Sequence, residues 1–486
     1  MPRKAIFFLF FLYFFIIWWG CKTPPERPPE EKLPEEAPEI LPDEVPKQPE
    51  PPVVPEKEKE PERDPIEEIE RLVNEGRFEE AVILFEEEFS LQSAESDNLI
   101  LYSSLLISVG KFDEAQALLN RALEKEADNV EVLYNLSLVE GYLGNIKKQQ
   151  ELLNKIIEIE PENVLARSSL GEIYLNNRKL NQAKREFIKC LEIDPENISS
   201  LLGYGYILTR EEEYVDAHKI YTKVIEIQPG NMFAYADRGK VKMALNDREG
   251  AEEDLTRAIR LDPDYYWNYI DRGKIRVYMD KLKEALEDFT RAIQIDPHNF
   301  YPYVYRAGIY EKLNEIDKAI QDYYIVLKKR RDYYFAYPSL GVLLYMSEKW
   351  EEAYRSFAEA YIFEEEKYSY PLLAALSLKK GGKEKQAIRY LESTINTLPR
   401  DSLYYHMARV YMKQERDGDF LYWFKEAEDK KEEMQMLFYL ASHYLLEDKL
   451  ELAQTYLLEV EDKADPMSIE KRLATWELDK FLRSKK

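Results

Sequence analysis

Cysteine, histidine, glycine and, over most of its length, proline are scarce in this 486-residue chain. The two cysteines, Cys21 and Cys190, sit in unlike surroundings, which excludes a disulfide framework. The four histidines (His218, His298, His406 and His443) are isolated from one another, so no metal-ligand spacing arises and no metal or cofactor is expected. With 17 glycines there is no phosphate-cradling loop; Gly381-Gly382-Lys383 falls at a helix–helix turn and lacks the P-loop spacing. No serine or cysteine has a paired base in the pattern, so catalysis is not expected. Thirteen of the 25 prolines lie between Pro24 and Pro61, which leaves the rest of the chain poor in both helix breakers. Positive charge is also in deficit. The net charge is −25, of which −21 falls after residue 61, and such a body would repel nucleic acid.

What is present begins with a basic start at Arg3 and Lys4, then fifteen apolar residues from Ala5 to Trp19, then Gly20-Cys21. That order is the order of an export signal, and the apolar run is short of the roughly 20 residues a spanning helix needs. The Gly-Cys pair resembles a bacterial lipobox, which implies acylation of Cys21 and a lipid-anchored protein of the cell membrane. Trp18 and Trp19 stand where that family prefers leucine and a small residue, so an uncleaved hydrophobic anchor for residues 1–21 remains open beside it. Both readings place Arg3 and Lys4 inside and the body outside the cytoplasm. Residues 22–61 contain no aromatic residue and no glycine, carry 12 acids against 6 bases, and form a Pro/Glu-rich linker of the kind that favours polyproline II and disorder.

The body is periodic. Ala81, Ala115, Ala183, Ala217, Ala251, Ala285, Ala319, Ala353 and Ala387 are spaced by 34 or its multiple, with Gln149 in the one gap. Pro161, Pro195, Pro229, Pro263 and Pro297 keep the same period at a fixed offset from the alanines, as Pro195 follows Ala183 and Pro229 follows Ala217. Within residues 164–197, Leu170, Gly171 and Tyr174 fit one helix, and Leu180, Ala183, Phe187, Cys190 and Leu191 fit a second. Asp194-Pro195 ends it.

On these residues the chain resembles the tetratricopeptide family, whose repeat signature residues 266–299 match with Tyr269, Gly273, Ala285, Phe289, Ala292 and Pro297. The resemblance implies an all-α, right-handed α-solenoid of about twelve helix-turn-helix repeats over residues 62–466. The windows are 62–95, 96–129, 130–163, 164–197, 198–231, 232–265, 266–299, 300–333, 334–367, 368–400, 401–433 and 434–466, and a capping helix follows over 467–486. Gln149 at an alanine position, Arg331 and Glu365 at proline positions and Phe420 at another alanine position depart from the signature, so the C-terminal third is expected to pack less regularly.

Two sets of residues leave the packing pattern. Arg238, Arg272 and Arg306 share position 7 of their repeats, and Asp254, Asp288 and Asp322 share position 23 of the same repeats. They come and go together, which predicts interhelical ion pairs; a ligand-binding arginine row is the sharper alternative. The second set lies on the face that lines the concave groove in the family: Tyr206, Phe233, Trp267, Tyr301, Phe335 and Tyr345, with Lys240 and Lys274 among them and Arg210, Tyr278 and Lys312 adjoining. An aromatic row with interleaved bases suits a peptide with apolar side chains and a carboxylate. The competing expectation is that these rings pack on neighbouring repeats. The function expected is a membrane-tethered scaffold for a protein or peptide partner in the bacterial cell envelope. A ligand-binding accessory subunit of an envelope transporter, or an adaptor for envelope-assembly or peptidoglycan enzymes, stands as an alternative.

Overall fold

The computed structural model describes residues 64–89, 96–426 and 430–484. Residues 1–63 lie outside them, so the export signal, Cys21 and the linker do too. Twenty-five α-helices occur among the described residues, with no strand. They form twelve successive pairs, from Pro65–Asn74 with Phe78–Glu88 to Lys430–Leu446 with Leu450–Lys463, and a final helix, Ile469–Ser484. The chain divides into two compact units between Tyr204 and Gly205.

Each repeat is built by the same local chemistry. Asn129, Asn163, Asn197 and Asn231, each one period after the last, accept a backbone N–H of the helix that follows, at 2.9–3.1 Å. These N-caps satisfy donors that have no intrahelical partner. At the start of the first repeat Asp64 does the same for Ile66 at 2.9 Å. The first helix of each pair ends on a left-handed residue, again in step with the repeat: Gly76, Gly110, Gly144, Arg178, Glu212, Asn246, Asp280, Asn314, Glu348 and Gly382. In the second repeat Gly110 donates to the Ile107 carbonyl and Lys111 to that of Leu106, the paired bonds of a Schellman stop. The fold tolerates arginine and glutamate there although only glycine is free of the steric cost.

Packing follows the alanines. Ala81, Ala115, Ala183, Ala217, Ala251, Ala285, Ala319, Ala353 and Ala387 are all fully buried. In the N-terminal unit the Phe187 ring lies so close to Gly171 and Gly203 that a methyl group on either would approach it to 2.4 Å. The smallness of both residues is what lets the ring in. Cys190 is buried, its thiol raised by that burial, and it packs as a small apolar residue. Tyr269, Tyr303 and Tyr337 are buried and donate to the carbonyls of Pro263, Pro297 and Arg331 at 3.2–3.5 Å. The carbonyl, not the proline ring, is the recurring contact, which explains why Arg331 can replace proline there.

The C-terminal third does depart from the regular stack. The helix Ser369–Lys380 is buried from Tyr370 to Leu378, as expected of a segment apolar on every side. Tyr439 from the last pair donates to the Ser369 carbonyl at 3.2 Å, and Tyr411 donates to that of Tyr439 at 2.9 Å. First helices two repeats apart therefore touch. The final helix closes this arrangement. Its Arg472 meets Glu311 at 2.6 Å, its Glu477 meets Lys380 at 2.6 Å and the Tyr345 hydroxyl at 2.8 Å, and its Trp476 packs edge-on against Tyr345 and Trp350.

Candidate functional site

The ion pairs form as the spacing predicts. Arg238, Arg272 and Arg306 grip Asp254, Asp288 and Asp322 in turn, each with two parallel bonds of 2.6–3.1 Å. The third guanidinium nitrogen donates to Thr222, Thr256 and Thr290 of the preceding repeat, at 3.0–3.3 Å. Tyr235, Tyr269 and Tyr303 lie under the three guanidinium groups. These threonines keep the same period and are readable in the sequence as a series in phase with the arginines. With the aspartates no more than 5% exposed, every guanidinium donor set is turned inward, and the arrangement locks repeats together. Asp288 holds a second cation, Arg276, at 2.9 Å, and Arg276 also reaches Glu252 of the preceding repeat. Burial pushes the Asp288 carboxyl above its ordinary value against the pull of Arg272 and Arg276.

The aromatic set divides. Tyr345 is fully buried and does not belong to an open face: the final helix covers it, and its hydroxyl is spent on Glu477. Its sequence position is that of a groove residue, but the fold of the last repeats brings residue 477 back onto it. Tyr206, Trp267, Tyr278, Tyr301 and Phe335 are exposed, the last by 60%; Arg210 and Lys312 are exposed as well. Phe233 is half-buried, edge-on to Tyr265 at 5.8 Å. From there the rings run on without a break: Tyr265 to Tyr266, Trp267, Tyr301, Phe300, Tyr333 and Phe335, neighbouring centroids 4.2–6.4 Å apart. Both expectations are thus partly met, because the rings pack across repeats and still present surface.

Lys240 and Lys274 are not free bases. Lys240 bridges Asp237 at 3.0 Å and Asp271 at 3.6 Å, and Lys274 faces Asp271 at 3.5 Å and lies over the Tyr305 ring. Burial works against the charge of Lys240, but Asp237 and Asp271 outweigh it and hold its ammonium above the usual lysine range. Acids therefore alternate with bases beside the rings, and both lysines already have carboxylate neighbours within the chain.

Several members of the row escape the sequence pattern: Tyr265, Tyr266, Phe300 and Tyr333. A signal for them is nonetheless present. Tyr265 and Tyr333 occupy the position where Asn129, Asn163, Asn197 and Asn231 cap, and Tyr265 makes no side-chain cap. Giving up an N-cap costs about 1 kcal/mol. Local rules broken in this way mark positions held for something other than stability. Burial pushes the Tyr265 phenol up to about 12.

Paired helices repeating with one fixed period beside an exposed row of rings define a helical-repeat scaffold. The chain is a tetratricopeptide-repeat protein: the tetratricopeptide repeat model matches residues 104–163 and the ETO1 C-terminal domain model residues 162–333. No curated protein matches it. Among solved structures it is similar to MamA (24% identity, 33% of this chain, 94% of that one, TM-score 0.31). It is similar also to a tetratricopeptide repeat protein from Parabacteroides merdae (17%, 51% and 98%, TM-score 0.41). A third similarity is to YrrB, described as having an unusual peptide-binding site (21%, 38% and 95%, TM-score 0.33). Tetratricopeptide folds are typically non-catalytic scaffolds that bind protein or peptide partners.

Proposed function

We propose that this chain is a membrane-tethered adaptor of the bacterial cell envelope whose open face, from Tyr206 to Phe335, receives a protein or peptide partner. The observation that carries this reading is the unbroken row of rings from Phe233 to Phe335, exposed at Trp267, Tyr301 and Phe335 and packed from one repeat to the next. Large rings with rigid backing are the residues on which binding energy concentrates. The paired Lys240 and Lys274 favour a ligand with both donors and acceptors over one recognised by its carboxylate alone.

Crosslinking and pull-down from membranes tests the reading. Trp267→Ala with Tyr301→Ala is expected to lower partner recovery tenfold or more, since each such anchor is worth about 2 kcal/mol. Tyr422→Ala, an exposed ring in the eleventh repeat, should leave recovery unchanged. A double variant that keeps every partner would sink the proposal. The tether rests on the Ala5–Trp19 run and Gly20-Cys21. Cells fed a clickable fatty acid should label the wild type and not Cys21→Ala; equal labelling of both rules out acylation there.

A further inference from the structure

The repeats keep one chemistry where their second helix ends. Ile159, Ile193, Ile227, Leu261 and Ile295 share a position, followed by Glu160, Asp194, Gln228, Asp262 and Asp296 and then by the periodic prolines. Asp194, Asp262 and Asp296 each accept the backbone N–H two residues on, at 3.0 Å. The junction after the helix Ile316–Lys329 departs from all of this. Lys329 stands at the apolar position, Arg330 at the acidic one and Arg331 at the proline, and with Lys328 they make the one run of four consecutive bases in the sequence. A base in the last turn of a helix suits its dipole, but Arg330 and Arg331 lie beyond the helix, and an arginine cannot accept the turn bond. Local rules given up together at one junction mark positions held for something other than stability.

All four bases are exposed, and they adjoin the row of rings. The Arg330 guanidinium lies over Phe300 at 5.5 Å, and Phe300 in turn stacks on Tyr301 at 4.2 Å and meets Tyr333 at 5.1 Å. Arg330 and Arg331 pair with Asp332 and Glu359, but the arginines are 53% and 78% exposed, and pairs so wet hold weakly and exchange readily. Among the described residues Lys328 and Lys329 have no carboxylate partner.

We propose that the partner received by the open face presents an acidic segment, whose apolar side chains or prolines rest on Trp267, Tyr301 and Phe335 and whose adjacent carboxylates are taken by Lys328 and Lys329. This rests on the reading of the row as a binding face and names the class of partner it takes. The argument for this occupant is charge complementarity: a basic run beside rings, in a chain of net charge −25. A short acidic segment can meet four bases without facing the rest of the molecule. An anionic membrane surface cannot, because it would bring an extended sheet of negative charge against an acidic body.

The test measures fluorescence anisotropy of a labelled peptide of three Glu-Glu-Pro-Leu units with the detergent-solubilised full chain. It is expected to bind roughly tenfold or more tighter than its Lys-Lys-Pro-Leu counterpart, and to weaken in 1 M salt. Lys328→Glu with Lys329→Glu should weaken it roughly fivefold or more, and Lys328→Gln with Lys329→Gln by a smaller factor, in variants whose circular dichroism matches wild type. No binding of the acidic peptide, equal binding of both peptides, or indifference to the lysine changes overturns the proposal. So does lysine-dependent binding to phosphatidylglycerol vesicles without binding of the peptide. The same lysine variants in the membrane pull-down separate this inference from the reading beneath it. Recovery lost with Trp267→Ala, Tyr301→Ala but unchanged by the lysine reversal defeats this inference alone; recovery retained by the ring variant defeats the binding face itself.

Discussion

Asp288→Ala is expected to destabilise the protein by about 3 kcal/mol, the lower end of what unpairing a buried charge costs, because the guanidinium groups keep slight exposure. The aspartate neutralises two cations at once, Arg272 at 2.6 Å and Arg276 at 2.9 Å, and their side chains are only 13% and 15% exposed. Removing it leaves Arg272 with one threonine hydroxyl and the Tyr269 ring but no carboxylate; Arg276 retains Glu252. The double change Arg272→Met, Asp288→Leu should cost less than the single one. It removes the lone charge and fills the space with apolar atoms, and burial already opposes the ionised form of Asp288, so the intact pair is near break-even. Thermal melts of the two variants check the order. A double variant that melts below Asp288→Ala would refute the pairing as the source of the effect.

Ending the chain at residue 466 is expected to unfold the repeats from about residue 334 onward while those before residue 300 keep their protection. The helix Ile469–Ser484 buries Leu473, Ala474 and Leu478 against a core that runs from Phe300 to Leu478. It also supplies Glu477, the partner of both Lys380 and Tyr345. Without it, a lysine only 13% exposed loses its carboxylate, and the rings of Tyr345 and Trp350 meet water. Repeat proteins lose stability locally, since each repeat leans on its neighbours, so the damage should fade with distance. Hydrogen exchange resolved by peptide is the measurement. Protection lost uniformly to residue 205, or unchanged beyond residue 334, would contradict this account of the final helix.

Most of the fold is legible in the linear chain. Two phased series, alanine and proline on one shared period, define paired helices, and Arg–Asp co-occurrence at positions 7 and 23 is enough to pair them. The physical reason is that, before the C-terminal third, a repeat packs mainly on its neighbours, so local periodicity is nearly the whole of its packing there. The candidate site is legible in part. Trp267, Tyr301 and Phe335 leave the packing pattern and are exposed, but Tyr265 and Tyr333 carry their meaning only beside the other rings.

The helix pairs, their caps and stops, the buried alanines and the interhelical ion pairs all follow from residue order, because each is a contact within one period or between adjacent ones. Which groove positions stay open does not follow from it. Tyr345 and Tyr206 occupy related sequence positions, yet one is sealed and the other exposed, because the final helix, remote in the chain, returns to cover Tyr345. The pairing of Lys240 and Lys274, by aspartates one turn away and one repeat on, likewise emerges only in the folded molecule. Contacts at such separations depend on how each repeat is set against the next, and small changes in that setting accumulate along the stack.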